Sequence, residues 1–256
     1  MDATLIAVAA AWGALTGMLL PRAAYRLSVE PDERWRDACP SGHPITGVVG
    51  GWFGSARCGS CAVAVTPAAT PGVAATSVPY RPSVTVPLVT AVACAALAAA
   101  TGARPELVVW VLLAPVAVLL TLVDRRVHRL PDQLTLPLAA AAAVLLGLAG
   151  LLPGAGGSWT TALLGGLVLG SAYLTLFLIH PAGMGFGDVK LALSLGTALG
   201  WYDWPVLLAG AFAGFLLGSL YGLGLIALRL AGRKTAIPFG PFMIAGTLAG
   251  LLLGAS

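Results

Sequence analysis

Long stretches with almost no charge recur along the chain, near residues 4–20, 84–101, 107–123, 134–152, 160–180, 189–202, 204–229 and 238–254. The hydrocarbon core of a bilayer is about 30 Å thick and is crossed by a helix of about 20 apolar residues. Repetition of such runs therefore predicts an all-α polytopic membrane protein of about eight transmembrane helices. Of the 256 residues, 58% are hydrophobic and 9% are charged. Soluble domains carry roughly 25% charged residues, so an ordinary soluble fold is excluded. The sixth run, 189–202, is short and bounded by glycine, which leaves a full span, a half-helix and a re-entrant segment open. The first run opens "MDATLIAV", with an acid where a secretory signal carries its basic region, and is read as a retained helix.

The basic residues orient the spans. If alternate loops face the cytoplasm, Arg22, Arg26, Arg81, Arg125, Arg126, Arg129, Lys190, Arg229, Arg233 and Lys234 fall on that side, and Arg104 falls opposite. This is the positive-inside pattern, and it explains the net charge of +4 without a nucleic-acid partner. Both chain ends then face outward. Trp159, Trp201 and Trp204 are expected in the aromatic belt of the outer interface.

Residues 22–82 break the apolar pattern. They hold "SVEPDERWRDACPSGHPITG", "SARCGSCAVAV" and a Pro-rich exit, "TPAATPGVAATSVPYRPS". The expected organisation is a first transmembrane helix over 1–21, a small cytoplasmic loop domain and linker over 22–82, and a membrane-embedded core over 83–256. The Ala- and Gly-rich tracts elsewhere are helix-packing surfaces.

Ten acidic residues are present, and seven of them (Asp2, Glu30, Asp32, Glu33, Asp37, Glu106 and Asp203) fall in predicted loops or at the terminus, where solvated or capping roles are expected. Asp132 suits the cap of the fourth helix. Asp124 ends the third apolar run in "LLTLVDRRVHRLPDQL", and Asp188 opens the sixth in "GMGFGDVK". Singly, Asp188 reads as a helix cap and Asp124 as the partner of a neighbouring Arg. Together, on one membrane face, they suggest a pair, because an ionisable group at that depth is costly without a function. Two close carboxylates share one proton. The ionised member then takes a proton from water while the other polarises a peptide carbonyl, which is aspartic proteolysis without metal or cofactor. Gly185 and Gly187 are expected to turn the backbone and to leave room for an extended substrate.

These residues resemble the type 4 prepilin peptidases, membrane aspartic proteases of the GxGD class. The resemblance lies in "LVDRRVHRLPDQLTLPL", "GMGFGDVKLALSLGTALGW" and "AIPFGPFMIAG", in that order, and spans residues 107–250. It implies Asp124 and Asp188 as the catalytic pair, Gly185 and Gly187 as site-shaping residues, and Lys190 as a residue that orients substrate or anchors the interface. "IPFGPF" would be a structural turn packed near the site. The resemblance further implies prepilin or pseudopilin substrates of the type IV pilus or type II secretion kind. They would lose a short basic leader at the cytoplasmic face of the inner membrane. N-methylation of the new terminus by S-adenosylmethionine would follow if that activity is retained.

"CGSC" at 58–61 is half of a zinc knuckle. Where the family often shows a second thiol pair, this chain reads "CPSGH". Either Cys39, His43, Cys58 and Cys61 make a structural zinc site, or the family's ligand is lost. A reduced cytoplasmic loop argues against a disulfide. Cys94, in an apolar run, reads as a small core residue. Three rivals remain: a presenilin-type protease, whose first Asp sits in a different context; an ion- or proton-coupled transporter using Asp124 and Asp188; and a structural scaffold.

Overall fold

The structure, a computed structural model, describes residues 2–30, 33–63, 80–181, 183–230, 232 and 237–255. The linker centred on 64–79 and the expected cytoplasmic charges Arg233 and Lys234 lie outside the described residues, as does Asp32. Among those described there are ten helices: α1 (Ala3–Leu27), α2 (Val48–Gly51), α3 (Gly59–Val63), α4 (Thr85–Thr101), α5 (Glu106–Val127), α6 (Asp132–Gly150), α7 (Trp159–Ile179), α8 (Phe186–Gly200), α9 (Trp204–Ala227) and α10 (Gly240–Ala255). Each apolar run of the sequence became one helix. Five of them, α1, α5, α6, α7 and α9, are long and apolar enough to cross a membrane; α4 and α10 are shorter apolar helices.

The short sixth run is the centre of the fold. α8 has 15 residues, of which eleven are buried, and it packs against α6, α7, α9 and α10. At 1.5 Å per residue it is about 22 Å long, less than a hydrocarbon core. Small residues let α7 approach it closely. A Cβ on Gly165 would stand 2.7 Å from the Gly196 carbonyl oxygen, and one on Gly200 would stand 2.7 Å from that of Thr161. α1 meets α4 in the same way, for a Cβ on Gly13 would lie 2.8 Å from the Ala91 Cα. Such contacts replace the hydrophobic driving force that helices lack in lipid.

Two apolar clusters lie along α8. One gathers Trp110, Leu146, Leu199, Trp201 and Leu207 at its C-terminal end. The other gathers Leu120, Tyr173, Val189, Leu191, Leu195 and Met243 at the end where Asp188 stands.

Three expectations need correction. Trp201 is not in an interfacial belt: it has no exposed surface. The chain gives it room at Gly157, where a Cβ would lie 2.6 Å from the indole nitrogen. Glu106 is not solvated either. It is wholly buried, and both its oxygens accept from the Gly156 N–H, at 3.1 and 3.3 Å. Finally, α1 does not end near residue 21 but continues through Pro21 to Leu27, burying Arg22 and Arg26.

Those two arginines fasten the segment after α1 to its helix. Arg22 donates to the carbonyls of Thr46 and Phe53, and Arg26 donates to that of Gly50 at 2.7 Å. The Arg26 guanidinium also lies 4.2 Å from the centroid of the Trp52 ring, a cation–π contact. Tyr25 donates to the Ala38 carbonyl at 3.1 Å. Charges that read as topology signals in the sequence are thus also the fasteners of this segment.

Candidate active site

Asp124 stands in the last turn of α5. The helix stops at His128, whose φ of 50° is left-handed and whose N–H donates to the Asp124 carbonyl at 2.8 Å, one of the standard ways of satisfying a helix C-terminus. The chain then turns back and buries Leu130. Asp188 stands in the first turn of α8, its N–H donating to the Gly185 carbonyl at 3.0 Å. Gly185 is the N-cap residue, so Asp188 is not the cap that its sequence position suggested.

Both carboxylates are buried, Asp124 at 4% exposure and Asp188 at 7%, and the charge of one acts on the other. Each is met by a helix N-terminus. Asp188 lies in the first turn of its own helix, and an Oδ of Asp124 accepts from the Gly240 N–H, the first residue of α10, at 3.0 Å. Helix N-termini favour negative charge. An arrangement of two buried acids with one such donor supports sharing of a proton and activation of a water between them.

Leu130 is the spacer. A Cβ on Gly187 would lie 2.9 Å from the Leu130 Cβ, and a Cβ on Gly240 would lie 2.9 Å from an Asp124 oxygen and 3.6 Å from a Leu130 methyl. The glycines of "GFGD" therefore act differently from expectation. Gly185 has φ −75° and Gly187 is not left-handed, so neither supplies a sharp turn that only glycine permits. Gly187 supplies closeness to Leu130, while Gly185 has only ordinary contact with Asp188, at 3.6 Å.

Lys190 is bound to Asp132 at 2.6 Å and lies 4.7 Å from the Phe186 ring centroid. Asp132 is the first residue of α6, with Pro131 as the cap position, so its side chain holds Lys190 and does not cap the helix. The pair ties the start of α6 to the start of α8. Asp203, by contrast, does cap its helix, accepting from the Trp204 N–H at 2.7 Å.

The residues that sequence reasoning missed are Gly240, Leu130 and Tyr173. "IPFGPF" was read as a turn near the site, yet its glycine N–H is a direct partner of Asp124. Tyr173 is buried, interacts electrostatically with Asp188, and stacks against Phe215 and Phe239 at 5.4 and 6.3 Å. Tyr173 is one of five hydroxyl side chains on α7, with Thr160, Thr161, Ser171 and Thr175, so the sequence carried no signal that set it apart.

The second cluster lies in the segment after α1. Cys39, His43, Cys58 and Cys61 place three Sγ atoms and one Nδ1 within 4.8 Å of one another. The Cys61–His43 separation is 3.3 Å, and Cys39 lies 3.6 Å from His43 and 3.7 Å from Cys61. Ligands of a tetrahedral zinc ion, with bonds of about 2.0–2.3 Å, stand about 3.3–3.8 Å apart, so the donor set fits the ion. A tight turn makes the first half: the Cys39 N–H donates to the His43 carbonyl at 2.8 Å, and Gly42 takes φ +82°. Burial pushes the Cys39 thiol up, but hydrogen bonds from the His43 and Ser41 backbone outweigh it and hold the thiol below its ordinary value. The Cys61 backbone N–H does the same for Cys58. Beside the cluster is a cavity of about 190 Å³ lined by Arg22, Thr46, Arg57, Ser60 and Tyr80.

Comparison with known proteins agrees with this picture. A family model described as the type IV leader peptidase family matches residues 111–223, a stretch containing both Asp124 and Asp188. A protein of Aeromonas salmonicida strain A449 named prepilin leader peptidase/N-methyltransferase is 42% identical over 152 residues, 59% of this chain and 49% of the relative. The protein of that name in Escherichia coli K12 is 35% identical over 173 residues, 65% of this chain and 73% of the relative. In Pseudomonas aeruginosa PAO1 the figures are 36% over 149 residues, 56% and 47%. The chain thus spans about half the length of the Aeromonas relative. No solved structure matches. With one such relative covered over nearly three quarters of its length, and with the family model lying across α5 to α9, the chain belongs to the type IV leader peptidase family.

Proposed function

We propose that this chain is a membrane aspartic endopeptidase that removes the leader of prepilin-like proteins at the cytoplasmic membrane face. The reading is supported by two buried carboxylates, at the end of α5 and the start of α8, that lie near enough for the charge of Asp124 to act on Asp188 and fall inside the stretch that the family model matches. In this reading eight helices span or enter the bilayer, and the loop after α1 is cytoplasmic. The ionised member of the Asp124–Asp188 pair takes a proton from water. The water oxygen attacks the scissile carbonyl carbon, whose oxygen is held by the protonated member. Collapse of the tetrahedral intermediate expels the amine, which receives a proton from the dyad. Gly240 holds Asp124 through its N–H, while Gly187 and Leu130 set the spacing. Lys190 and Asp132 join the starts of α8 and α6 by a water-screened ion pair on which cleavage does not depend.

Cys39, His43, Cys58 and Cys61 would hold a zinc ion, which would fix the loop on α1 and take no part in proteolysis. The relatives' names include N-methyltransferase. If that activity is retained, S-adenosylmethionine would be the methyl donor; the reading proposed here is carried by proteolysis. The transporter alternative finds no support in the comparisons.

The test is cleavage of a co-expressed prepilin in membranes, followed by gel shift and mass spectrometry of the leader. Asp124→Asn and Asp188→Asn should abolish cleavage at unchanged membrane level, while Asp132→Asn retains it. Cleavage persisting in either dyad variant would refute the assignment.

A further inference from the structure

The stretch 45–56, "ITGVVGGWFGSA", carries no ionisable side chain. At its tip Val48 is 70% exposed, Val49 66% and Phe53 53%. Trp35, also exposed, extends this apolar surface by packing edge-on against Trp52, with ring centroids 5.1 Å apart. The backbone of the tip is unusual. Val49 stands at φ 51°, ψ 54°, a left-handed conformation that is an outlier for a β-branched residue and that Asn or Gly adopts readily. Facing water, a valine there has nothing to offset that strain; facing an apolar medium, its side chain gains burial.

The level of the tip is set by α1. Residues 3–21 carry no charge and are all helical. They are about 28 Å long, close to the roughly 30 Å of a hydrocarbon core. Arg22, the next residue, therefore falls at the boundary of the bilayer. It is Arg22 that donates to the carbonyls of Thr46 and Phe53, and Arg26, one turn further on, that donates to that of Gly50. The chain wraps this guanidinium closely. Gly51, at φ +81°, leaves it room, since a Cβ there would stand 3.2 Å from a terminal nitrogen of Arg22. Both arginines thus hold the tip where the hydrocarbon ends.

We infer that residues 48–53 are an interfacial membrane anchor, in which Val48, Val49 and Phe53 enter the boundary between headgroups and acyl chains beside the end of α1. The partner is lipid, because the same helix that carries the clamp crosses the bilayer and brings the tip to its surface. Trp35 sits at headgroup level, where the amphipathic indole is favoured. A short apolar tip on a polar segment binds such a boundary through the apolar area it buries. The inference rests on α1 crossing the bilayer and goes beyond the proposed proteolysis. Thr46 lines the same cavity as Cys39 and Cys58, so the anchor also holds the cysteine cluster against the membrane surface.

The experiment places an environment-sensitive fluorescent amino acid at position 49, 53 or 40 of the full chain, in three separate proteins reconstituted into vesicles of phosphatidylcholine and phosphatidylglycerol. Pro40, exposed in the turn between Cys39 and His43, is the aqueous reference. Each protein is titrated with iodide in the buffer and, in parallel, prepared with lipid bearing a nitroxide high on its acyl chain. Labels at 49 and 53 should be quenched by the nitroxide lipid and should lose most of the iodide quenching seen at 40. Using both positions guards against a label that merely disturbs the turn. Iodide reaching 49 and 53 as freely as 40 would overturn the inference, because the tip would then lie in water. Shielding of both labels from iodide and from nitroxide lipid alike would overturn it as well, because protein, such as a second copy of the chain, would then cover the tip.

Discussion

Gly240→Ala is the substitution in which the structure makes its sharpest quantitative claim. The new Cβ would stand 2.9 Å from an Asp124 oxygen and 3.3 Å from its carboxyl carbon. Comfortable non-bonded separations begin at about 3.5 Å, so the carboxylate must retreat by about half an ångström. The N–H···O bond of 3.0 Å would be stretched by the same movement. A hydrogen bond to a charged group contributes about 1.5–3 kcal/mol, and a misplaced catalytic group costs about a hundredfold when the error reaches an ångström. We expect cleavage of a membrane-borne prepilin to fall roughly 10–100-fold, read as rate per unit of membrane-inserted protein. Gly224→Ala is the control, because a Cβ there meets nothing within 4 Å. It should cleave as wild type and, if anything, stabilise α9, since Ala exceeds Gly in helix propensity by about 1 kcal/mol. Wild-type cleavage by Gly240→Ala would refute the argument that α10 holds Asp124 in place. Equal loss in both variants would show a general intolerance of α9 and α10 to added volume.

Two further outcomes are expected. In a double-mutant cycle, Lys190→Met and Asp132→Asn should couple by only about 0.2–1 kcal/mol, measured by thermal unfolding in detergent, because Asp132 is 56% exposed and water screens the pair. Coupling well above that range would contradict the exposed geometry. The purified protein should carry one zinc per chain by elemental analysis, and Cys58→Ser or Cys61→Ser should release it while the dyad still cleaves. Wild-type protein without metal after expression in zinc-replete medium would remove the metal reading.

The all-helical character and the order of the apolar helices were legible because the bilayer imposes a length that composition reveals directly, although only five of them are long and apolar enough to cross a membrane. The two acids stood out because each sits at the end of an apolar run. What sequence could not carry is what depends on a neighbour far along the chain. Trp201 lies among residues that resemble an interfacial loop, and only the bare backbone at Gly157 admits its ring. Glu106 is separated by 50 residues from the N–H that satisfies it. The role of Gly187 required knowing that Leu130 lies against it. The four zinc-type ligands could be named, but their convergence depends on the turn at Gly42 and on the fastening of the segment by Arg22 and Arg26.

The partner of Asp124 is separated from it by 116 residues. At a synthesis rate of roughly 5–20 residues per second, that distance represents on the order of ten seconds on the ribosome. Throughout that interval the first acid of the pair is already made while the backbone amide that holds it does not yet exist. If the pair is the proposed dyad, a nascent chain therefore holds it incomplete until α10 has been made and packed, and the order of synthesis would act as a safety catch.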